Sequence, residues 1–265
     1  MQNNKISLCI PTMDRFDNFL GKSLDDYIEY LKEGLIDEIV ICDENGNDFD
    51  KINEKYVDLI DDGVNLRVFK NSSVLGVFLN KMKVCKMANN EIVALIDSDN
   101  FTDRKYFEVV HEYLNKKKES LPNHFVLSPS WAKPFGGMDA RRYAGQVYTK
   151  HTVTKNMSYY TNPENIWAWE YVFVSLWNIG NFVLTKNIWK DITFKPEILT
   201  KIITCDVMYF NMLALQQLSD FQFHLLEGLE YEHRVHDDSI YVKHNATHGN
   251  FMWEHVALEY VYNMS

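Results

Sequence analysis

The sequence predicts an α/β fold built on an open, mainly parallel sheet flanked by helices, and three observations lead to it. Apolar runs of strand length alternate with helical patterns four times in roughly the first hundred residues, with short connections that imply right-handed crossovers. The run Ile92 to Ile96 is apolar without alternation, as befits a strand buried on both faces. Each apolar run also ends in a polar cluster: Thr12–Arg15, Asp43–Asp48, Asn71–Ser73 and Asp97–Asn100. In an open parallel sheet, ligands bind outside the carboxyl ends of the strands, where these clusters fall.

The elements follow in order. Ile6 to Ile10 is the first strand, and Phe16, Phe19, Leu20, Leu24, Tyr27, Ile28 and Leu31 repeat at helical spacing, with Gly34 as the stop. Glu38 to Cys42 is a strand, Ile52, Tyr56, Leu59 and Ile60 mark a helix closed by Gly63, and Leu66 to Phe69 is a strand. A helix from about Leu75–Gly76 carries Leu79, Met82, Val84, Met87 and Ala88 into the Ile92 strand. Tyr106 to Leu114 reads as a helix and Phe125 to Leu127 as a strand. Residues Trp131 to Tyr160 are irregular, with Gly136-Gly137 and Arg141-Arg142, and read either as a surface excursion or as a loop that carries specificity. Trp167 to Ile192 is rich in aromatic residues, most of them suited to core packing. Thr204-Cys205-Asp206-Val207 opens a clear helix, and Phe251 to Tyr262 reads as an amphipathic helix packed on the domain.

The 265 residues suffice for one large α/β domain or two small ones. A net charge of −10 disfavours nonspecific binding to nucleic acid or an anionic membrane. Cys9, Cys42, Cys85 and Cys205 are far apart and read as reduced, buried thiols of a cytoplasmic protein. Nothing resembles a signal peptide, and the most apolar region, Tyr171 to Leu184, is too short and too polar to cross a bilayer.

No Gly-x-Gly-x-x-Gly follows the first strand, and no P-loop motif occurs, so phosphates must be held in another way. Asp97-x-Asp99 can place two hard oxygen ligands on one divalent cation, Mn²⁺ or Mg²⁺, which in turn holds a diphosphate. The same residues are also common loop and cap residues after a strand. As an EF-hand the stretch fails, because Phe101 and Thr102 stand where a ligand and the turn glycine belong.

Taken together, Ile6–Arg15, Ile39–Gly46, Asn71 with Gly76 and Asn80, and Ile92–Asn100 resemble, in order and spacing, the successive motifs of family-two glycosyltransferases, which have the GT-A fold. Two departures stand out: Asp43-Glu44-Asn45-Gly46 where Asp-Asp-Gly-Ser is more usual, and Ser72-Ser73-Val74-Leu75 before the glycine. Gly180-Asn181 with Lys186 resembles the family's Gly-Asn strand behind the acceptor site. The resemblance implies one GT-A-like domain over 1–265, with a nucleotide-sugar-binding half at 1–106 and an acceptor-side half at 107–265 that ends in the C-terminal helix.

The resemblance also implies roles. Pro11 and Thr12 would line the base pocket, Asp43 would hydrogen-bond the base, and Arg15 would approach base or diphosphate. Asn71, Gly76, Asn80 and Ser98 would belong to the donor site, and Asp97 would lie near ribose and metal. Asp99 would ligate the metal directly, and His236, or else His233, would complete the metal–diphosphate site. Asp206 matches the family's catalytic base, although a helix N-terminus also favours an acid simply as a cap. Glu170 and Glu254 are other acids that could take the part. The histidines between His233 and His255 lack the cysteine partners of a dedicated zinc site. The expected activity is metal-dependent, inverting transfer from a nucleotide-diphospho-sugar, a UDP-sugar foremost, to a hydroxyl of a glycan or other acceptor. The alternatives are a nucleotidyltransferase of similar fold and a non-catalytic sugar-nucleotide-binding module.

Overall fold

The computed structural model describes residues 4–117, 119–135, 138–153, 176–237, 239 and 242–243. Strand and helix alternate through the first part: β1 (Ile6–Thr12), α1 (Gly21–Lys32), β2 (Glu38–Asp43), α2 (Asn47–Asp61), β3 (Leu66–Lys70), α3 (Val77–Met87), β4 (Ile92–Leu95) and α4 (Arg104–Lys117). A π-helical turn, Phe16–Leu20, leads into α1. Then follow β5 (Phe125–Lys133), β6 (Val147–Tyr148), β7 (Val183–Thr185), α5 (Ile188–Asp191), α6 (Asp206–Gln217) and β8 (Gln222–Glu232). The eight strands form one sheet in the order β3-β2-β1-β4-β7-β5-β8-β6. Strands β1 to β4 pair in parallel, as does β5 with β8, whereas β7 runs antiparallel to both β4 and β5.

The central strands are buried on both faces, which explains their unbroken apolar runs. Leu8, Ile10, Ile39 and Ile41 face a core shared with Leu24 and Ile28 of α1, Ile52 of α2 and Phe107 of α4. Cys9, Val40 and Cys42 face the opposite core, which holds Phe78 and Val84 of α3 and most of α6. Helices α3 and α6 therefore lie on one face of the sheet, and they touch. From Asp206 to Leu215 every residue of α6 is buried, so this helix is apolar nearly all round. Gly34 and Gly63 end their helices at φ of +74° and +85°, conformations open to glycine. All four cysteines are free and buried. Trp177, Phe182 and Trp189 pack in the core, as the aromatic-rich stretch suggests.

Two elements differ from the sequence expectation. Strand β5 runs on to Lys133, through a proline and into the stretch read as irregular. Strand β8, eleven residues long, has no counterpart in that reading. Both have one cause. The β5–β8 register shifts between Pro129 and Trp131, and Gly228 bends β8 at φ +74°, so neither strand keeps a steady inside–outside alternation. The Phe251–Tyr262 helix, Glu170 and Glu254, and His244, His248 and His255 lie outside the described residues. No helix among the described residues is long and apolar enough to cross a membrane.

Candidate active site

A cleft of about 430 Å³ opens at the carboxyl ends of β1 and β4, between the N-terminal turns of α3 and α6. Pro11, Thr12, Arg15, Gly76, Asn80, Asp97, Ser98, Asp99 and Asp206 all line it, so most of the donor and base residues expected from the sequence meet in one place. The loop after β1 is held by one carboxylate. Asp48 accepts from the Thr12 hydroxyl (2.7 Å), the Arg15 amide (2.9 Å) and the Phe16 amide (3.1 Å).

Asp97 and Asp206 are joined by a residue that the sequence reading passed over. Lys81 Nζ lies 3.0 Å from Asp97 Oδ1 and 3.0 Å from Asp206 Oδ2. Its side chain is 8% exposed. Burial lowers the pKa of this amine, but Asp206 and Asp97 outweigh burial and hold it above the ordinary lysine value. Asp206 is the first residue of α6. Burial pushes its carboxyl above the usual carboxylate range, Lys81 pulls it back, and Asp97 pushes it up again. A signal for Lys81 was present in the sequence. It falls with Phe78 and Cys85 on the buried stripe of α3, where a lysine needs a buried partner.

The Gly180-Asn181 pair supports Asp97 from behind. Asn181 adopts φ +56°, and its Oδ1 accepts the Asp97 amide at 2.6 Å. The Tyr106 hydroxyl donates to the Asn181 carbonyl at 2.6 Å. A Cβ on Gly180 would stand 3.6 Å from both Asp97 Oδ2 and Val207 Cγ2, in ordinary van der Waals contact with the acid on one side and α6 on the other.

Asp99 faces a different set of groups. His236 Nε2 lies 3.3 Å from Asp99 Oδ2, and the Arg15 guanidinium approaches the same oxygen at 3.8 Å. The His236 ring packs on Phe19 at 4.5 Å. His233 lines the cleft and His236 does not; the His233 ring lies against Tyr231 and Phe135, and burial lowers its pKa. Of the two histidines, His236 is the one placed against Asp99.

Two expected donor residues do not reach the cleft. Asp43 has no exposed surface, and its carboxylate accepts the amides of Asp48 and Phe49 (2.8 Å each) and Asn45 (3.3 Å). Its Oδ2 caps the start of α2, and it is not among the residues that line the cleft. Asn71 is likewise spent inside, donating to Glu44 Oε2 (2.7 Å) and Asn80 Oδ1 (3.0 Å) and accepting from Lys83 (2.6 Å). Glu44, the second acid of that motif, is the one that lines the cleft, and its Oε1 accepts the Leu75 and Gly76 amides ahead of α3.

The sequence matches the family described as glycosyl transferase family 2 over residues 7–180. That match spans well over half of the chain, including the β1 loop, Lys81, the Asp97–Asp99 pair and Gly180. The chain belongs to glycosyl transferase family 2. Its fold is that of the GT-A enzymes. Solved structures agree on the fold. S. aureus TarS 1-349 in complex with UDP-GlcNAc superposes with a TM-score of 0.59 at 16% identity over 89% of this chain. Glucosyl-3-phosphoglycerate synthase from Mycobacterium tuberculosis, in complex with Mn²⁺, UDP and phosphoglyceric acid, gives 0.52 at 15% identity, covering 88% of this chain and 72% of its own. This chain spans between 38% and 61% of the TarS chains it matches. No curated protein matches it in sequence.

A divalent cation suits part of this donor set. Among the described residues no group of three or more His, Cys, Asp or Glu side chains is arranged to hold a metal ion. Asp99 Oδ2 and His236 Nε2 nevertheless stand 3.3 Å apart, close to the spacing of about 3 Å between neighbouring ligands of an octahedral ion with bonds of about 2.1 Å. In this family-2 enzyme Oδ1 of Asp97 is already taken by Lys81.

Proposed function

We propose that this glycosyltransferase moves a sugar from a UDP-sugar to a hydroxyl acceptor with inversion at the anomeric carbon, residues 1–265 acting as one catalytic unit. The observation that carries the reading is the Lys81 bridge. It fixes Asp206 of the second half and Asp97 of the first at opposite ends of one ammonium, inside one cleft. The UDP and UDP-GlcNAc bound to the structural neighbours support the choice of donor.

The donor lies along Pro11, Thr12, Gly76, Asn80 and Ser98, and Arg15 offers its guanidinium to a phosphate oxygen. Asp99 and His236 would hold a Mn²⁺ or Mg²⁺ ion, which when bound offsets charge on the leaving diphosphate. Asp206 takes the proton of the acceptor hydroxyl as the acceptor oxygen attacks the anomeric carbon. The bond from that carbon to the diphosphate oxygen breaks on the opposite face, and UDP leaves with the electron pair. Burial keeps Asp206 more basic than an exposed aspartate, which suits a proton acceptor, while Lys81 keeps it ionised.

The test is thermal stabilisation by nucleotides. UDP with Mn²⁺ is expected to raise the melting temperature well above UDP or Mn²⁺ alone, with GDP and dTDP weaker. Equal shifts with all three nucleotides, or none with UDP, would remove the donor assignment.

A further inference from the structure

Glu44 holds both ends of one loop. It stands directly after β2, is 5% exposed, and its own amide donates to the Thr12 carbonyl at 2.9 Å. Its Oε2 accepts the side-chain amide of Asn71 at 2.7 Å, where the loop after β3 begins. Its Oε1 accepts the backbone amides of Leu75, at 2.6 Å, and of Gly76, where that loop ends and α3 starts. The two ends are not equally secured. Asn71 is also held by Asn80, Lys83 and the Asp43 carbonyl, whereas Glu44 is the partner of both the Leu75 and the Gly76 amide. Between the ends, Ser72, Ser73 and Val74 are exposed and form no hydrogen bond with any described residue. One carboxylate therefore clasps the loop.

The two departures from the family pattern meet in this clasp. Glutamate stands at 44 where aspartate is more usual, and Ser72 to Leu75 precede the glycine. An aspartate at 44, shorter by about 1.5 Å, does not reach both Asn71 and the Leu75 and Gly76 amides. The clasped loop belongs to the cleft, because Glu44, Val74 and Gly76 line it together with Pro11 and Thr12. Val74 is 66% exposed. A single exposed valine is ordinary, but one on a loop tied down at a ligand cleft is already ordered for contact. Along α3, Gly76 stands about 7.5 Å from Lys81, the partner of Asp206. The loop therefore meets the end of the donor away from the reacting carbon, which is the nucleotide.

We propose, resting on the donor reading of this cleft, that Glu44 is a positioning residue for nucleotide binding. Its clasp keeps Ser72 to Leu75 at the cleft, where Val74 packs on the nucleotide part of the donor. Glu44 acts through the loop, and the loop, ordered before the donor arrives, adds no ordering cost when the donor binds.

Calorimetric titration of UDP into the full chain, with Mn²⁺ present, tests this on wild type, Glu44→Asp, Val74→Ala and the double variant. A cooperative melting curve of each shows that it has folded. Val74→Ala takes two methyl groups out of the contact, and the Kd for UDP should rise about three- to tenfold. Glu44→Asp releases the loop from the cleft and should raise the Kd about tenfold or more. In the Glu44→Asp background, the Val74 substitution should change the Kd less than twofold, because the released loop no longer brings that side chain to the nucleotide. A glutamate that merely stabilised the fold would leave the two effects independent. An unchanged Kd in Val74→Ala or in folded Glu44→Asp, or effects that multiply in the double variant, would overturn the proposal. If Glu44→Asp does not fold, Val74→Ala carries the test, a raised Kd supporting the clasp and an unchanged one overturning it. The two readings fail separately. Wild type that does not bind UDP sinks the donor reading and the clasp with it, whereas wild-type binding matched by the variants sinks the clasp alone.

Discussion

Lys81→Met offers the sharpest test of how the cleft is held together. Methionine keeps the length and apolar stem of the lysine and removes only the ammonium that stands 3.0 Å from each of two carboxylates. Breaking a buried ion pair from one side costs about 3–5 kcal/mol, because the remaining charge is left unpaired. The Asp206 side chain is 12% exposed and that of Asp97 28%, so water can relieve Asp97 in part, and the lower end, about 3 kcal/mol, applies. For a chain of this size that amounts to a melting temperature lower by about 6–12 °C. The loss should depend on pH. Without Lys81, the folded-state pKa of Asp206 rises further above its unfolded value. A carboxyl raised in this way stabilises the fold when protonated, and that contribution disappears as pH rises through its folded pKa. The deficit of the variant should therefore be smallest in acid and grow toward neutral pH. The acid limb of kcat/KM should move to higher pH, since the base is protonated over a wider range. Adding Asp206→Asn should recover part of the lost stability without recovering transfer. If Lys81→Met melts within about 1 °C of a surface control such as Lys105→Met, and its pH–rate limb does not move, the bridge does not hold the site.

Further outcomes can be checked on the same protein. Asp206→Asn should lower kcat by about 10²–10⁴ while leaving the UDP–Mn²⁺ melting shift in place, and full transfer activity would remove Asp206 from the chemistry. Asp99→Asn and His236→Ala should each shrink the part of the UDP shift that depends on Mn²⁺, with little change in melting temperature when no ligand is present. His124 is clamped between Asp220 (2.6 Å) and Asp191 (2.9 Å). Burial lowers its pKa, but the two carboxylates outweigh burial and raise it, while His124 draws Asp220 below the usual carboxylate range. The clamp is thus complete below pH about 6.5 and is lost as pH rises through the folded His124 value; on the acid side it is lost as pH falls through that of Asp220. Melting curves of His124→Asn should fall short of wild type near pH 5.5 and converge with it by pH 9, and parallel curves across that range would refute the clamp.

How legible each part was follows from how locally its physics is written. The first hundred residues are built of short strand–helix units, each with its polar cluster at the strand end, so β1 to β4 and the Asp97–Asp99 pair could be read in sequence order. Asp206 was legible for the same reason, as an acid at the start of an apolar helix. Asp43 was ambiguous because an acid at the end of a strand fits a ligand site and a helix cap equally well, and in the fold its carboxylate accepts the amides of Asp48 and Phe49. The β5–β8 pair was hidden by a bulge and a bend that break the alternation.

What a linear reading could not supply is the link between Asp97 and Asp206, because it depends on two helices that pack on the same face from distant parts of the chain. Lys81 on α3 reaches Asp206 on α6 because the two helices touch on one face of the sheet, while Gly180-Asn181, just before β7, back Asp97. A Cβ at Gly180 would stand 3.6 Å from both Asp97 and Val207, in ordinary contact with the acid on one side and α6 on the other. The segment that backs Asp97 therefore also touches the helix that opens with Asp206. Alanine at Gly180 should be tolerated, whereas a longer side chain there should disturb Asp97 and α6 at once.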